Sequence, residues 1–337
     1  MITSSAPPPT TTTPPPPPSF TLAAGGDILV HPLLTEQADR DGGRDFLPIL
    51  DGLRQAVDAD LSICHLETPL SAPGDPTYGY PAFSAPPEVA TALKTLGYDS
   101  CSTASNHTLD RGPGAIRTTL DVLDAAGIAH TGSFRTPEES ATPLLLDVPG
   151  AKVAQLSFTY GFNGIPLPQP WMANQLSTEG VLTAARAAKA AGADVVVASL
   201  HWGAEYQHEA TTEQREMAAA ILADPAVDLI IGTHVHAVQP IEQVNGKWVV
   251  YGMGNEVARH SEPRGITEEG IVTRFTFVKG PGGWAVEHAE YVPTMVEFGP
   301  PIRVVDLTRA PATPRRAEAL ARTDSVVRSL GSAITRR

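Results

Sequence analysis

Five apolar, β-type runs of this chain each stop abruptly at a side chain able to bind a metal or carry a proton. They are FTLAAGG before Asp27, LSICHL before Glu67, DSCSTAS before Asn106 and His107, VVVASL before His201, and LIIGT before His234 and His236. Ala- and Leu-rich stretches of helical periodicity, among them PEVATALKTLG, GAIRTTLDVLDAAG, TAARAAKAAG and TEQREMAAAILA, alternate with them. Such βα repetition predicts parallel strands joined by crossover helices. In open α/β sheets ligands bind beyond the carboxyl ends of the strands, so these terminal residues are expected to converge.

After His236 the pattern changes to IEQVNGKWVVYGMGN, GIVTRFTFVK and GWAVEHAEYV, with Asn245-Gly246 and Gly282-Gly283 as turn signals. These segments are expected to complete a mixed sheet as antiparallel strands. The domain boundary falls where the Pro/Thr-rich opening gives way to FTLAAGGD. The reading is therefore a tail over residues 1–19, an α/β domain over 20–300, and a C-terminal helix and tail over 301–337.

A formal net charge of −13 argues against a nucleic-acid partner and against capture of acidic polymers by bulk electrostatics. Bound cations or a local basic patch would have to reverse the sign inside a cleft. With only Cys64 and Cys101 present, a thiolate zinc cluster is excluded. Two buried thiols are expected, with one bridge between neighbouring strands as the alternative for an exported chain. No apolar run reaches the roughly 18 residues of a membrane helix, and the opening lacks the pattern of a signal peptide. As written the chain reads as unexported. Its Pro/Thr tract is of the kind that spaces an exported domain from an anchor, which leaves an upstream signal open. The oligomeric state is open as well.

Thr233-His234-Val235-His236 puts two imidazoles on one side of an extended segment, because residues i and i+2 of a strand face the same way. Mixed His, Asp, Glu and Asn ligation suits zinc, manganese or iron rather than an exclusive calcium or magnesium site. Asp27, Glu67, Asn106, His201, His234 and His236 exceed what one tetrahedral ion needs, so a site for two divalent ions roughly 3.5–4 Å apart is expected, with Glu67 as the candidate bridge. Paired ions activate water and polarise a carbonyl or phosphoryl oxygen, which makes hydrolysis the default chemistry. The long aromatic segment SFTYGFNGIPLPQPW, residues 157–171, is a candidate groove wall through Phe158, Tyr160, Phe162 and Trp171. Trp202 and Glu205 are candidates for a wall and for an acceptor to an imidazole N–H.

The ordered motifs GGDILV, HLETPL, ASNHTLDRG, SLHWGAEY, GTHVHAVQP and VVYGMGNEV, spread over roughly residues 20–295, resemble the CapA family of poly-γ-glutamate capsule synthesis proteins, within the calcineurin-like metallophosphoesterase superfamily. The resemblance implies an α/β fold of four layers, an α/β/β/α sandwich with a di-metal site at the strand ends. It implies that Asp27 and His236 serve one ion, that Asn106, His201 and His234 serve the other, and that Glu67 serves both. His107 becomes a near-site acid or charge stabiliser oriented by Asp110. The sequence departs from the family pattern at Leu29, where a His is usual two residues after the Asp. His31 either supplies that ligand or caps the next helix. His65 stands where an Asn is usual before Leu-Glu, and Asn255-Glu256 where Asn-Phe is usual. Glu256 is left as a base, an amine binder or a solvent-facing carboxylate.

What the resemblance implies for function is a metal-dependent enzyme that hydrolyses or transfers amides of a glutamyl polymer or peptide. Epimerisation of a peptide Cα, phosphoester hydrolysis and a non-catalytic capsule-assembly scaffold are the alternatives.

Overall fold

The computed structural model describes residues 16–40, 43–260 and 265–337. The first half of the chain forms β1 (Ser19–Ile28), α1 (Pro32–Ala38), β2 (Asp39–Arg40), β3 (Gly43–Arg44), α2 (Leu47–Leu50), β4 (Leu61–Leu66), α3 (Glu88–Leu96), β5 (Ser100–Ser102), α4 (Gly112–Ala126), β6 (Ala129–Thr131), α5 (Pro137–Ser140), β7 (Leu144–Val148) and β8 (Ala151–Thr159). Then follow α6 (Thr178–Ala190), β9 (Val195–His201), α7 (Thr212–Leu222), β10 (Leu229–Thr233), β11 (Ile241–Val244), β12 (Lys247–Val250), β13 (Asn255–Val257), β14 (Glu269–Gly280), β15 (Gly283–Glu297), β16 (Arg303–Asp306), α8 (Pro314–Val327) and β17 (Thr335–Arg336). Of the expected tail, residues 1–15 lie outside the described residues, and Ser19 already opens β1.

One sheet has the order β16-β15-β14-β1-β4-β5-β6, with β13 added beside β1 and β17 beside β15; the other has the order β11-β12-β10-β9-β8-β7. The expected parallel pairs are present: β1 with β4, β4 with β5, β5 with β6, β8 with β9, and β9 with β10. The antiparallel finish is divided between the two sheets. Hairpin β11–β12 turns at Asn245-Gly246 and extends the second sheet, whereas β14–β15 turns just before Gly283 and lies against β1 in the first. Strands β16 and β17 bring the last stretch of the chain into the first sheet as well.

Alternation along the strands explains the layering, since successive side chains point to opposite faces. Phe20, Leu22 and Ala24 of β1 pack with Leu61 and Ile63 of β4 and, across the interface, with Val153, Val195, Val197, Leu229 and Ile231 of the second sheet. The opposite face of the first sheet, with Ala23 and Cys64, packs on Val89, Leu93, Ile116 and Leu120 of α3 and α4. The opposite face of the second, with Ala154, Val196, Ala198 and Ile230, packs on Val181, Ala185, Ala218 and Ile221 of α6 and α7. The result is a four-layer α/β/β/α sandwich. Fully burying each Val of this stack is worth about 1.5–3 kcal/mol. Local signals set the helix ends: α7 begins with a capping box between Thr211 and Gln214, and α3 and α4 stop at Gly97 and Gly127 in the left-handed region.

Cys64 and Cys101 sit side by side on β4 and β5, with Cα atoms 4.5 Å apart, and are joined as a disulfide rather than left as two thiols. The in-register parallel pairing of the strands puts them within bridging distance.

Candidate metal centre

The parallel strands of both sheets end along one rim, and the terminal side chains meet there. Asp27, Glu67, His201, His234 and His236 are all buried. The Asp27 carboxylate accepts the backbone N–H of His234 at 3.1 and 3.3 Å from its two oxygens, and Oδ2 lies 3.3 Å from His236 Nδ1. His236 Nε2 lies 3.7 Å from Glu67 Oε1, and His107 Nε2 lies 4.0 Å from the same oxygen. His201 Nε2 is 3.0 Å from Asn106 Oδ1, and its Nδ1 is 3.2 Å from Thr233 Oγ1. Two groups have ligand atoms close enough together to share one cation each: Asp27 with Glu67 and His236, and Asp27 with His65 and His201. Asp27 is the carboxylate that belongs to both groups.

His234 and His236 hold φ at 93° and 53°. Such left-handed backbone is rare for a non-glycine residue and costs on the order of 1–3 kcal/mol. The turn swings both imidazoles back over the strand ends, so the i, i+2 logic of an extended strand is not how the pair converges. Gly25 and Gly26 serve the same close assembly from β1. A Cβ at Gly26 would lie 2.0 Å from Gly254 O, and one at Gly25 would lie 2.0 Å from Glu256 Oε2.

The protonation pattern follows from burial and charge. Desolvation favours a neutral Asp27, but the hydrogen bond and charge of His236 outweigh it and hold the carboxyl below its usual range. Burial likewise opposes charge on His236, yet Glu67 and Asp27 keep its imidazolium up to about 10. Burial pushes His234 down to about 3 and His201 well below its usual value, and repulsion from the neighbouring imidazoles adds to both shifts. Those rings are neutral, which is the state that binds a metal. Burial drives Glu67 in the opposite direction, well above the carboxylate range.

The donor set passes a test for a cation. Both oxygens of Glu67, Nε2 of His65 and Nδ1 of His234 are buried without a hydrogen-bond partner. An unsatisfied buried polar atom costs about 1–3 kcal/mol, and those of Glu67 and His65, each in a donor group close enough to share a cation, are explained by a bound ion. The outer partners are in place too. Asn255 donates to Thr267 O at 2.8 Å, which leaves its Oδ1 to accept from His236 Nδ1 at 2.9 Å and orients that ring. Asp110 Oδ2 pairs with His107 Nδ1 at 2.7 Å and also accepts Phe83 N–H at 2.7 Å.

Other residues are placed differently from the sequence reading. His31 is the backbone N-cap of α1 but makes no side-chain cap, and among the described residues no donor group includes it. Its Nδ1 accepts the Arg259 N–H at 3.1 Å, and the ring lines the cleft against Phe83. Glu256 faces neither water nor the cleft. It is 2% exposed behind Gly25, hydrogen-bonded by Tyr98 Oη, because its neighbour Asn255 takes the side of β13 that faces the centre. Leu29 fills its position with apolar contacts to Phe83 and Ala258. Of the aromatic segment, Tyr160 stands over His234 at 4.5 Å between ring centres, whereas Phe158 and Phe162 are core residues. Glu205 lines the cleft, and Thr233 is the partner that His201 Nδ1 finds instead. His65, Asn255 and His260 were not singled out as site residues. His65 shares its face of β4 with Glu67 two residues on, a spacing that could have flagged it.

Above this floor opens a cleft of about 1010 Å³, with His31, Phe83, Asn106, His107, Tyr206, His236 and Arg259 in its walls.

The four-layer sandwich carries at its strand ends two donor groups that could each hold a cation. The chain superposes on a 5'-nucleotidase precursor from Thermus thermophilus with a TM-score of 0.51 at 15% identity, over 91% of this chain and 58% of that one. The model of the family described as bacterial capsule synthesis protein PGA_cap matches residues 21–260, and the chain belongs to that family. It is 29% identical over 180 residues to the PGA biosynthesis protein CapA of Bacillus subtilis (strain 168), a stretch covering 50% of this chain and 45% of that protein. It is 27% identical over 179 residues to the capsule biosynthesis protein CapA of Bacillus anthracis, covering 52% and 43%. The match thus spans less than half the length of those relatives.

Proposed function

We propose that this chain is a metal-dependent enzyme that hydrolyses or transfers an amide bond of a γ-glutamyl polymer or peptide. The observation that carries the reading is the set of unpaired, buried donor atoms on the floor of an open cleft. Asp27, Glu67 and His236, and Asp27 with His201, would hold manganese, zinc or iron, with Asn106 and His234 beside them. Such ions, when bound, lower the pKa of a coordinated water and polarise a carbonyl oxygen.

The protein's own residues supply the rest. His107 is fixed by Asp110 with its Nδ1–H donated, so Nε2 faces the centre from the cleft side. Protonated there, it would deliver a proton to the departing amine, and Asp110 would stabilise the imidazolium. Arg259, stacked on Phe298 at 4.1 Å, is the cation in the cleft wall available to a substrate carboxylate. Together with bound cations it would offset, within the cleft, the net charge of −13. Arg111 is stacked on Tyr78 at 3.9 Å, outside the lining.

The test is incubation of the manganese-loaded chain with poly-γ-glutamate and short γ-glutamyl peptides, assayed for new amino termini, beside a chelated control. Metal-dependent amine release is the expected result. Turnover of p-nitrophenyl phosphate alone, or deuterium uptake at Cα without cleavage, would replace this reading with phosphoester hydrolysis or epimerisation. Silence in all three assays would point to the assembly scaffold.

A further inference from the structure

His65, near the end of β4, has no task in the function proposed above. It is 2% exposed and is the register partner of Asp27 across the β1–β4 pair. Its ring stacks on His201, with centroids 4.8 Å apart and an interplanar angle of 29°. Nδ1 lies 2.8 Å from Ser102 Oγ, and that hydroxyl donates its own proton to Cys64 O at 3.3 Å. Ser102 therefore accepts from His65, which places the imidazole proton on Nδ1 and leaves a lone pair on Nε2. That lone pair has no hydrogen-bond partner and faces Asp27 Oδ1 at 3.9 Å.

Two acceptors directed at each other in a buried site repel, and a histidine serving only the core would use both nitrogens. A cation between them removes the conflict. The separation also fits, because metal–nitrogen and metal–oxygen bonds of about 2.0–2.2 Å let two ligands of one ion stand up to roughly 4 Å apart. Resting on the metal-centre reading above, we propose that His65 is a ligand of a second cation position, binding through Nε2 together with Asp27 and His201. Ser102 is its positioning residue, fixing the tautomer as an outer partner does. The first position, Asp27 with Glu67 and His236, stands without it.

The experiment is titration of metal-free full chain with Co²⁺ alone, followed by calorimetry and visible absorption, with bound metal counted by elemental analysis. Wild type is expected to take two equivalents. His65→Ala should keep one and bind the other at least tenfold more weakly, with an altered Co²⁺ spectrum, since loss of an outer partner alone typically costs 10–100-fold in affinity, roughly. Ser102→Ala should weaken the same equivalent while leaving the ring in place, and Ser102→Thr should restore it. The serine pair keeps the question answerable should His65→Ala misfold, which far-UV dichroism of the metal-free protein reports. Two equivalents of unchanged affinity in His65→Ala would overturn the assignment of His65 and leave the metal centre standing. No binding by wild type would overturn both.

Discussion

Glu67 and Glu269 are each 1% exposed, yet the fold treats them in opposite ways. Glu269, at the start of β14, accepts from Arg315 Nη1 at 2.8 Å and from Arg322 Nη2 and Nε at 2.6 and 2.9 Å. Every need of that carboxylate is met by α8, and the ion pairs tie the C-terminal helix to the first sheet. Glu67 has neither oxygen hydrogen-bonded, and the imidazoles of His236 and His107 approach no closer than 3.7 and 4.0 Å. Burial of an acid therefore does not by itself mark a functional site. Burial without a partner does, because the fold leaves its desolvation cost to be offset by something that arrives later.

The contrast is open to direct tests. The largest effect is expected at Glu67. Glu67→Gln should lower the metal-dependent activity by about 10³-fold, on the scale of losing a transition-state electrostatic contact, and should reduce bound metal in elemental analysis. The same variant, metal-free, should melt no lower than wild type, since Glu67 makes no hydrogen bond to lose and His236 keeps Asp27 as its counter-charge. A clear loss of stability in the metal-free variant would break the comparison. Glu269→Ala should do the reverse: activity per folded molecule holds, while stability falls by up to about 3 kcal/mol, because the charged hydrogen bonds of the carboxylate are lost while Arg315 and Arg322 keep Glu268 and Glu318. Urea unfolding measures this.

A third buried acid, Glu256, sharpens the comparison with a smaller effect. Burial raises its pKa to about 8, against a partial offset from the Tyr98 hydrogen bond. The folded state thus keeps the proton between pH 4.5 and 8 while the unfolded chain releases it, so the contribution to stability is full at low pH and is lost as pH rises through that window. Glu256→Gln should flatten this decline and gain on the order of 2 kcal/mol relative to wild type near pH 8. Thermal melts from pH 5 to 8 would show the two curves diverging; parallel curves would mean that Glu256 is ionised in the folded state.

The architecture was legible because strand termini and helix periodicity are local properties of the chain. The parallel order and the meeting of Asp27, Glu67, His201, His234 and His236 at one rim follow from runs that can be seen without knowing what packs on what, whereas the four layers are what the family resemblance implies. What stayed hidden depends on pairing across the sheets. Nothing near position 256 in the sequence reveals that Tyr98 and Gly25 enclose that side chain. His31 looked like a spare ligand because it is close to Asp27 in sequence, but the turn into α1 directs its ring to Arg259 N–H. In sequence His65 is only a departure from the family pattern, and the β1–β4 register is what sets it opposite Asp27. The joining of Cys64 to Cys101 is likewise a matter of register between β4 and β5.

Strand β13 is three residues long and pairs with β1 at Asp27 and Ile28. Its adjacent residues look to opposite sides: Asn255 holds His236 in place, and Glu256 lies sealed behind Gly25. Deleting a single codon between the β12 strand and Asn255 would carry Glu256 into the place of Asn255 and present an acid to the imidazole; adding one would carry Asn255 into the place of Glu256, against the glycine. The short connection YGMGN is thus a ruler whose length matters more than its lettering. Gene libraries that vary the size of this loop should return almost no functional clones, even where libraries that vary the far hairpin at Gly283 return many.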